Sequence, residues 1–235
     1  MILRLFIALS LSSVLALAQN AAPSFDVHAW VDRDHFRDAN AKLMEQKPDR
    51  RVVVLGGSML AQWDLGTTFP GKDYVNRSIA GQGTAQLVLR FNQDAAQLKP
   101  RVIVIAPGLD DIGRGVAIAD IQQNVILIAQ LAKAHNIRVV YASLPAINPK
   151  GSSPLALVVT PEKVRELNRW MFLYTKDHGD TYVDFWSQLG DNQTLLKHEF
   201  SDDGISLNEA AFKSMAPVLE KRVAEAIVAS TGRLN

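Results

Sequence analysis

Cysteine is absent from the 235-residue chain, so no disulfide scaffold can hold the fold together. A charge excess is lacking too. Lys and Arg total 25 against 24 Asp and Glu, so the summed field is close to neutral and gives no reason to expect nucleic acid or an acidic membrane surface as a partner. No apolar run beyond the first eighteen residues is long enough to span hydrocarbon. Internal repeats and low-complexity tracts are likewise missing. With 48% hydrophobic and 21% charged residues, the chain has the composition of an ordered globular domain rather than a disordered segment.

The one apolar run is at the start. Arg4 precedes apolar-rich residues from Leu5 to Leu17, and Ala16-Leu17-Ala18 supplies a small-x-small cleavage pattern, the layout of an export signal. The chain therefore divides into a signal peptide at 1–18, an N-terminal helical extension at 19–47 and a main domain at 48–235, with a periplasmic or extracellular destination. In the extension, Trp30, Phe36 and Leu43 suggest one short leading helix packed on the main body.

From Arg51 onward, short β-branched runs alternate with longer helical patterns, which predicts βα units around a parallel sheet. The strands are expected at Val52–Leu55, Tyr74–Asn76, Val102–Ile105, Val139–Ser143 and Tyr182–Phe185. Helical faces follow from Leu87, Phe91, Ala95 and Leu98 within Thr84–Leu98, and from Ile121, Val125, Ile128 and Ala132 within Ile118–His135. Pro161–Lys176 and Asn208–Ser230 add two more helices, the second with Pro217 as a kink or break. The result is a three-layer α/β/α sandwich with a five-stranded parallel sheet. The long segment Pro145–Pro161, with its apolar patch Leu155–Val159, either borders a pocket or covers a helix.

Ligands of parallel α/β sheets bind at the carboxyl ends of the strands, and four polar blocks fall there in register. They are Gly56-Gly57-Ser58-Met59, Asn76-Arg77-Ser78-Ile79-Ala80-Gly81, Gly108-Leu109-Asp110-Asp111 and Asp203-Gly204-Ile205-Ser206-Leu207-Asn208. Ser58 lands at the start of a helix, where free amides favour developing negative charge. On these blocks the chain resembles the SGNH, or GDSL-type, hydrolases from about Arg51 to Ala229. The resemblance implies a flavodoxin-like fold and serine-dependent hydrolysis of acyl esters, such as an esterase or acetylesterase acting on acylated carbohydrate or lipid.

By that resemblance Ser58 stands at the nucleophile position, with Gly57 in place of the usual Asp. Gly81 matches the glycine whose amide holds the oxyanion. Asp110 stands where the family has an asparagine donor, and a carboxylate accepts hydrogen bonds but cannot donate to an oxyanion. Asp203 matches the acid of the triad, while Ser206 replaces the histidine base. A hydroxyl is far too weakly basic to take the Ser58 proton near neutral pH. Loss of a triad histidine costs on the order of a million-fold in turnover, and loss of one oxyanion donor roughly a hundred- to a thousand-fold.

His198, five residues ahead of Asp203, is the rescue candidate for the base; a solvated loop histidine is the plainer reading. A shared proton between Asp110 and Asp203 is a second rescue. Asp110, Asp111 and Asp203 lack a fourth ligand for a metal. The glycine fragments Gly81-Gln82-Gly83 and Gly113-Arg114-Gly115 lack cofactor-loop spacing, so no cofactor is expected. Trp63, Trp170 and Trp186 are read as core or rim packing ahead of the lining of a sugar-binding cleft. Two functions remain: an exported esterase with an unconventional base, or a pseudoenzyme that binds a glycan or acyl group in a retained pocket.

Overall fold

The computed structural model describes residues 25–48, 50–192 and 194–231. The expected export signal at 1–18 lies outside them. Five strands form one sheet: β1 (Val52–Gly56), β2 (Tyr74–Asn76), β3 (Val102–Ala106), β4 (Arg138–Ala142) and β5 (Thr181–Val183). Their order is β2-β1-β3-β4-β5, every neighbouring pair is parallel, and the register sets Gly56 beside Ala106 and Ala142 beside Val183. The two edge strands are the short ones, three residues each, which limits the open hydrogen-bonding edge.

Among the described residues, ten α-helices accompany the sheet: α1 (Val27–Val31), α2 (Arg37–Met44), α3 (Ser58–Ala61), α4 (Leu65–Thr68), α5 (Thr84–Asp94), α6 (Leu109–Gly113), α7 (Ile118–Ala134), α8 (Pro161–His178), α9 (Phe185–Leu189) and α10 (Glu209–Thr231). The strand alternation divides the core. Val53, Leu55, Ile103 and Ile105 pack with Leu87 and Phe91 of α5 and Val125 and Ile128 of α7. Val52, Val54 and Val140 face the other way, onto Leu167 of α8 and Met215, Leu219 and Val223 of α10. Both faces of the sheet are thus buried, as its continuous apolar strands require.

Four details differ from the sequence reading, one being that the helix expected over Thr84–Leu98 ends at Asp94 and is followed by a separate 3-10 turn, Ala96–Leu98. The fifth strand ends at Val183, because the Asp184 side chain accepts from the Ser187 amide and caps α9, which takes Phe185 into the helix. Pro217 does not break α10. Its ring is exposed while Met215 and Leu219 on either side are fully buried, so the lost backbone bond falls on the wet face and packing holds the helix. The leading helix is two helices, since Asp32 adopts a left-handed conformation, φ 51°, and closes α1.

The extension is tied to α5 by amide side chains. Gln82 donates to the Val31 carbonyl at 2.7 Å and Gln86 to the Trp30 carbonyl at 2.8 Å. Asn40, buried on α2, donates to Asp94 at 2.7 Å and accepts from Arg77 at 2.7 Å.

Candidate active site

β1 ends at Gly56, and the chain turns through Gly57 into α3, whose first residue is Ser58. The Ser58 hydroxyl donates to Asp110 Oδ1 at 2.5 Å, and the Ser58 amide donates to Asp110 Oδ2 at 2.8 Å. The Asp110 carboxylate, only 9% exposed, is therefore engaged by both atoms of the serine. From the opposite side, the Gly81 amide donates to Ser58 Oγ at 2.8 Å. Gly81 has φ +78°, a conformation that favours glycine, and its carbonyl accepts from Arg114 at 2.6 Å. That guanidinium holds the next peptide, between Gly81 and Gln82.

Asp111 is buried next to Asp110 but serves the neighbouring helix. It accepts from the Thr84 amide at 2.8 Å and the Thr84 hydroxyl at 3.2 Å, at the start of α5. Burial pushes its carboxyl pKa up, partly offset by those bonds and the Arg114 charge.

Asp203 is held within its own turn. Oδ1 accepts from the Ile205 amide at 2.9 Å, the Ser206 amide at 2.7 Å and the Ser201 hydroxyl at 3.2 Å. Oδ2 accepts from the Ser206 hydroxyl at 2.7 Å. Burial raises the Asp203 pKa, but these hydrogen bonds outweigh it and hold the carboxyl below its ordinary value.

The segment from Pro145 to Pro161 packs directly on this turn: Asn148 donates to the Gly204 carbonyl at 2.8 Å and Ser153 to the Asp203 carbonyl at 3.1 Å. A side chain at Gly151 would collide with the Asp203 backbone, so glycine is required for the close approach. Of its apolar patch, Val159 is buried and Leu157 is 83% exposed.

Among the described residues, no group of histidine and acidic side chains is arranged to hold a metal ion, and no helix is long and apolar enough to cross a membrane.

The GDSL-like Lipase/Acylhydrolase family matches residues 56–213, a span containing all four blocks. The chain belongs to that family. The esterase TesA of Pseudomonas aeruginosa is 33% identical over 111 residues, which cover 41% of this chain and 55% of that relative. The chain thus spans about half the length of the curated relative it matches. Among solved structures, a candidate acylhydrolase from Bacteroides fragilis is similar at a TM-score of 0.77 and 23% identity, covering 84% of this chain and 98% of that one. A GDSL-like lipase from Bacteroides thetaiotaomicron gives a TM-score of 0.76 and 23% identity, covering 84% and 99%. At that identity the likeness is one of fold.

Of the residues singled out in the sequence, Ser58, Gly81 and Asp110 come together, while Asp203 and Ser206 form a separate hydrogen-bonded pair. Among the described residues, no hydrogen bond joins Ser58 to Ser206, Asp203 or His198. His198 is exposed in the 3-10 turn His198–Phe200. Of the tryptophans, Trp63 is buried in the core and stacks on Phe212, Trp170 stacks on Tyr174, and Trp186 lines an open cleft.

Two features escaped the sequence reading. Arg90, fully buried on α5, donates to the carbonyls of Gly56 at 3.2 Å and Arg77 at 2.6 Å and to the Gln82 side chain at 2.6 Å, and pairs with Asp94 at 3.1 Å. It joins the end of β1 to the loop that carries Gly81. The i,i+4 spacing of Arg90 and Asp94 on an apolar helix was its available signal. The other is steric: an ideal side chain at Gly57 would collide with Asp110 Oδ2 and the Gln82 carbonyl.

Proposed function

We propose that this protein is an exported member of the GDSL acylhydrolases that binds acyl esters of carbohydrate or lipid at Ser58 without turning them over. The observation that carries this reading is the environment of Ser58 Oγ, whose hydrogen-bond partners are the Asp110 carboxylate and the Gly81 amide. Attack on an ester carbonyl needs a base to remove the hydroxyl proton as the new bond forms. The side chain at the base position is Ser206, which donates its own hydrogen to Asp203. An ionised Asp110 would also face the oxyanion that Gly81 is placed to stabilise, and like charge there opposes the reaction.

The short Ser58–Asp110 contact favours a second reading, a slow esterase in which Asp110 itself takes the proton. The carboxylate is in direct reach of the hydroxyl proton, but as a proton acceptor it is a poor substitute for an imidazole.

Hydrolysis of short-chain nitrophenyl esters separates the two. On the first reading, wild type and Ser58→Ala are equally inert and Asp110→Asn adds little. On the second, wild type shows slow turnover that both substitutions abolish. Export rests on residues 1–18, and a mature amino terminus at Gln19 in material recovered outside the cytoplasm would support it.

A further inference from the structure

A cleft of about 770 Å³ opens between α8, β5 and the start of α9, within the size range of small-molecule sites. It lies beside β5, three strands from β1, or about 14 Å across the sheet. Asp184 and Trp186 enter it from just beyond the carboxyl end of β5, so it shares with Ser58 the ligand-binding end of the sheet. It shares no lining residue with the Ser58 site.

Its walls are aromatic. Phe172, half exposed, meets Tyr182 edge to face, with centroids 5.5 Å apart and planes at 74°. Trp186 lines the same cleft, and its backbone amide is anchored by a 2.9 Å bond to the buried Ser143 hydroxyl. The same cleft is lined by charged groups of both signs. Arg169 and Glu166 make no hydrogen bond or ion pair among the described residues, and Arg165 pairs with Glu162 at 3.2 Å in the open.

We infer that this cleft is a binding site for a neutral oligosaccharide. Aromatic rings offer apolar faces for the C–H faces of sugar rings. An unpartnered guanidinium beside an unpartnered carboxylate offers donors and acceptors for neighbouring hydroxyls. Three acids, Glu162, Glu166 and Asp184, stand against two arginines, a balance that disfavours phosphate or a sulfated polymer. The charged groups disfavour an acyl chain, which would strip them of water without pairing them. The inference goes beyond the reading of Ser58 and needs no turnover there.

The test uses the mature protein, titrated with β-1,4-linked hexasaccharides of glucose, xylose and N-acetylglucosamine, with a heparin fragment and a fatty acid as contrasting arms. Binding is followed by calorimetry and tryptophan fluorescence. At least one neutral hexasaccharide should bind saturably, roughly tenfold or more weakly after Phe172→Ala or Arg169→Ala, and with unchanged affinity in Ser58→Ala. Both cleft substitutions are on exposed positions of α8, and circular dichroism checks that they fold. The proposal is overturned if no neutral hexasaccharide binds, if binding survives both cleft substitutions, or if only the heparin fragment or the fatty acid binds. Failure of these arms leaves the ester assays untouched, because those report on Ser58 alone.

Discussion

The Asp110 carboxylate occupies the space that a side chain at Gly57 would need: an ideal Cβ there collides with Asp110 Oδ2 as well as with the Gln82 carbonyl. Glycine before Ser58 is therefore matched to the close packing of Asp110 and the Gln82 backbone. Gly57→Ala should displace Asp110 and the loop around Gln82, costing about 1–3 kcal/mol as an overpacked site. Chemical denaturation of Gly57→Ala, Asp110→Ala and the double variant measures the coupling. A smaller penalty for Gly57→Ala in the Asp110→Ala background is expected; identical penalties in both backgrounds would refute the contact.

Ser206 already makes the bond to Asp203 that a histidine would make at this place in the triad. Ser206→His should therefore bring an imidazole between Asp203 and Ser58, and Asp110→Asn should restore an oxyanion donor. The double variant is expected to hydrolyse nitrophenyl acetate at least several hundred-fold faster than wild type, since an oxyanion donor alone accounts for roughly a hundred- to a thousand-fold. No gain would mean that the fourth block does not face Ser58.

Acid titration should single out Asp203. Its folded pKa lies below the ordinary 3.8, so the folded protein gives up this proton more readily than the unfolded chain. The resulting stabilisation is complete above the unfolded value and is lost as pH falls from there through the lowered folded value. Asp203→Asn should flatten the decline of stability below about pH 4, measured by denaturant midpoints across pH. An unchanged acid limb would contradict the hydrogen-bond count at this carboxylate.

Arg90 and Asp94 form a fully buried pair, 0% and 1% exposed. Asp94→Ala leaves the guanidinium uncompensated, which costs about 3–5 kcal/mol and should lower Tm by on the order of 10 °C. Scanning calorimetry checks it, and a shift of only a degree or two would show that the pair contributes little.

The sheet was legible in the sequence because strands covered on both faces must be apolar, and the three central strands carried that mark in Val52–Leu55, Val102–Ile105 and Val139–Ala142. Their helices were legible because Leu87, Phe91, Val125 and Ile128 repeat at helical spacing. Local capping was not: Phe185 looked like strand until Asp184 was seen to cap α9. Nor were contacts between distant residues. Motif position alone placed Ser58, Gly81 and Asp110 in one site, but the Gly57–Asp110 exclusion, the Arg114 bond to Gly81 and the cleft of Phe172, Tyr182 and Trp186 depend on how separate loops and helices meet, which spacing along the chain does not encode.

The proposed function requires the Ser58 hydroxyl to be chemically quiet. Intact-mass measurement after incubation with an organophosphonate serine probe tests this most directly, with Ser206→His/Asp110→Asn as the activated comparison and Ser58→Ala as the blank. Wild type should gain no more adduct than Ser58→Ala while the double variant is labelled. Stoichiometric labelling of wild type at Ser58, as fast as in the double variant, would contradict it.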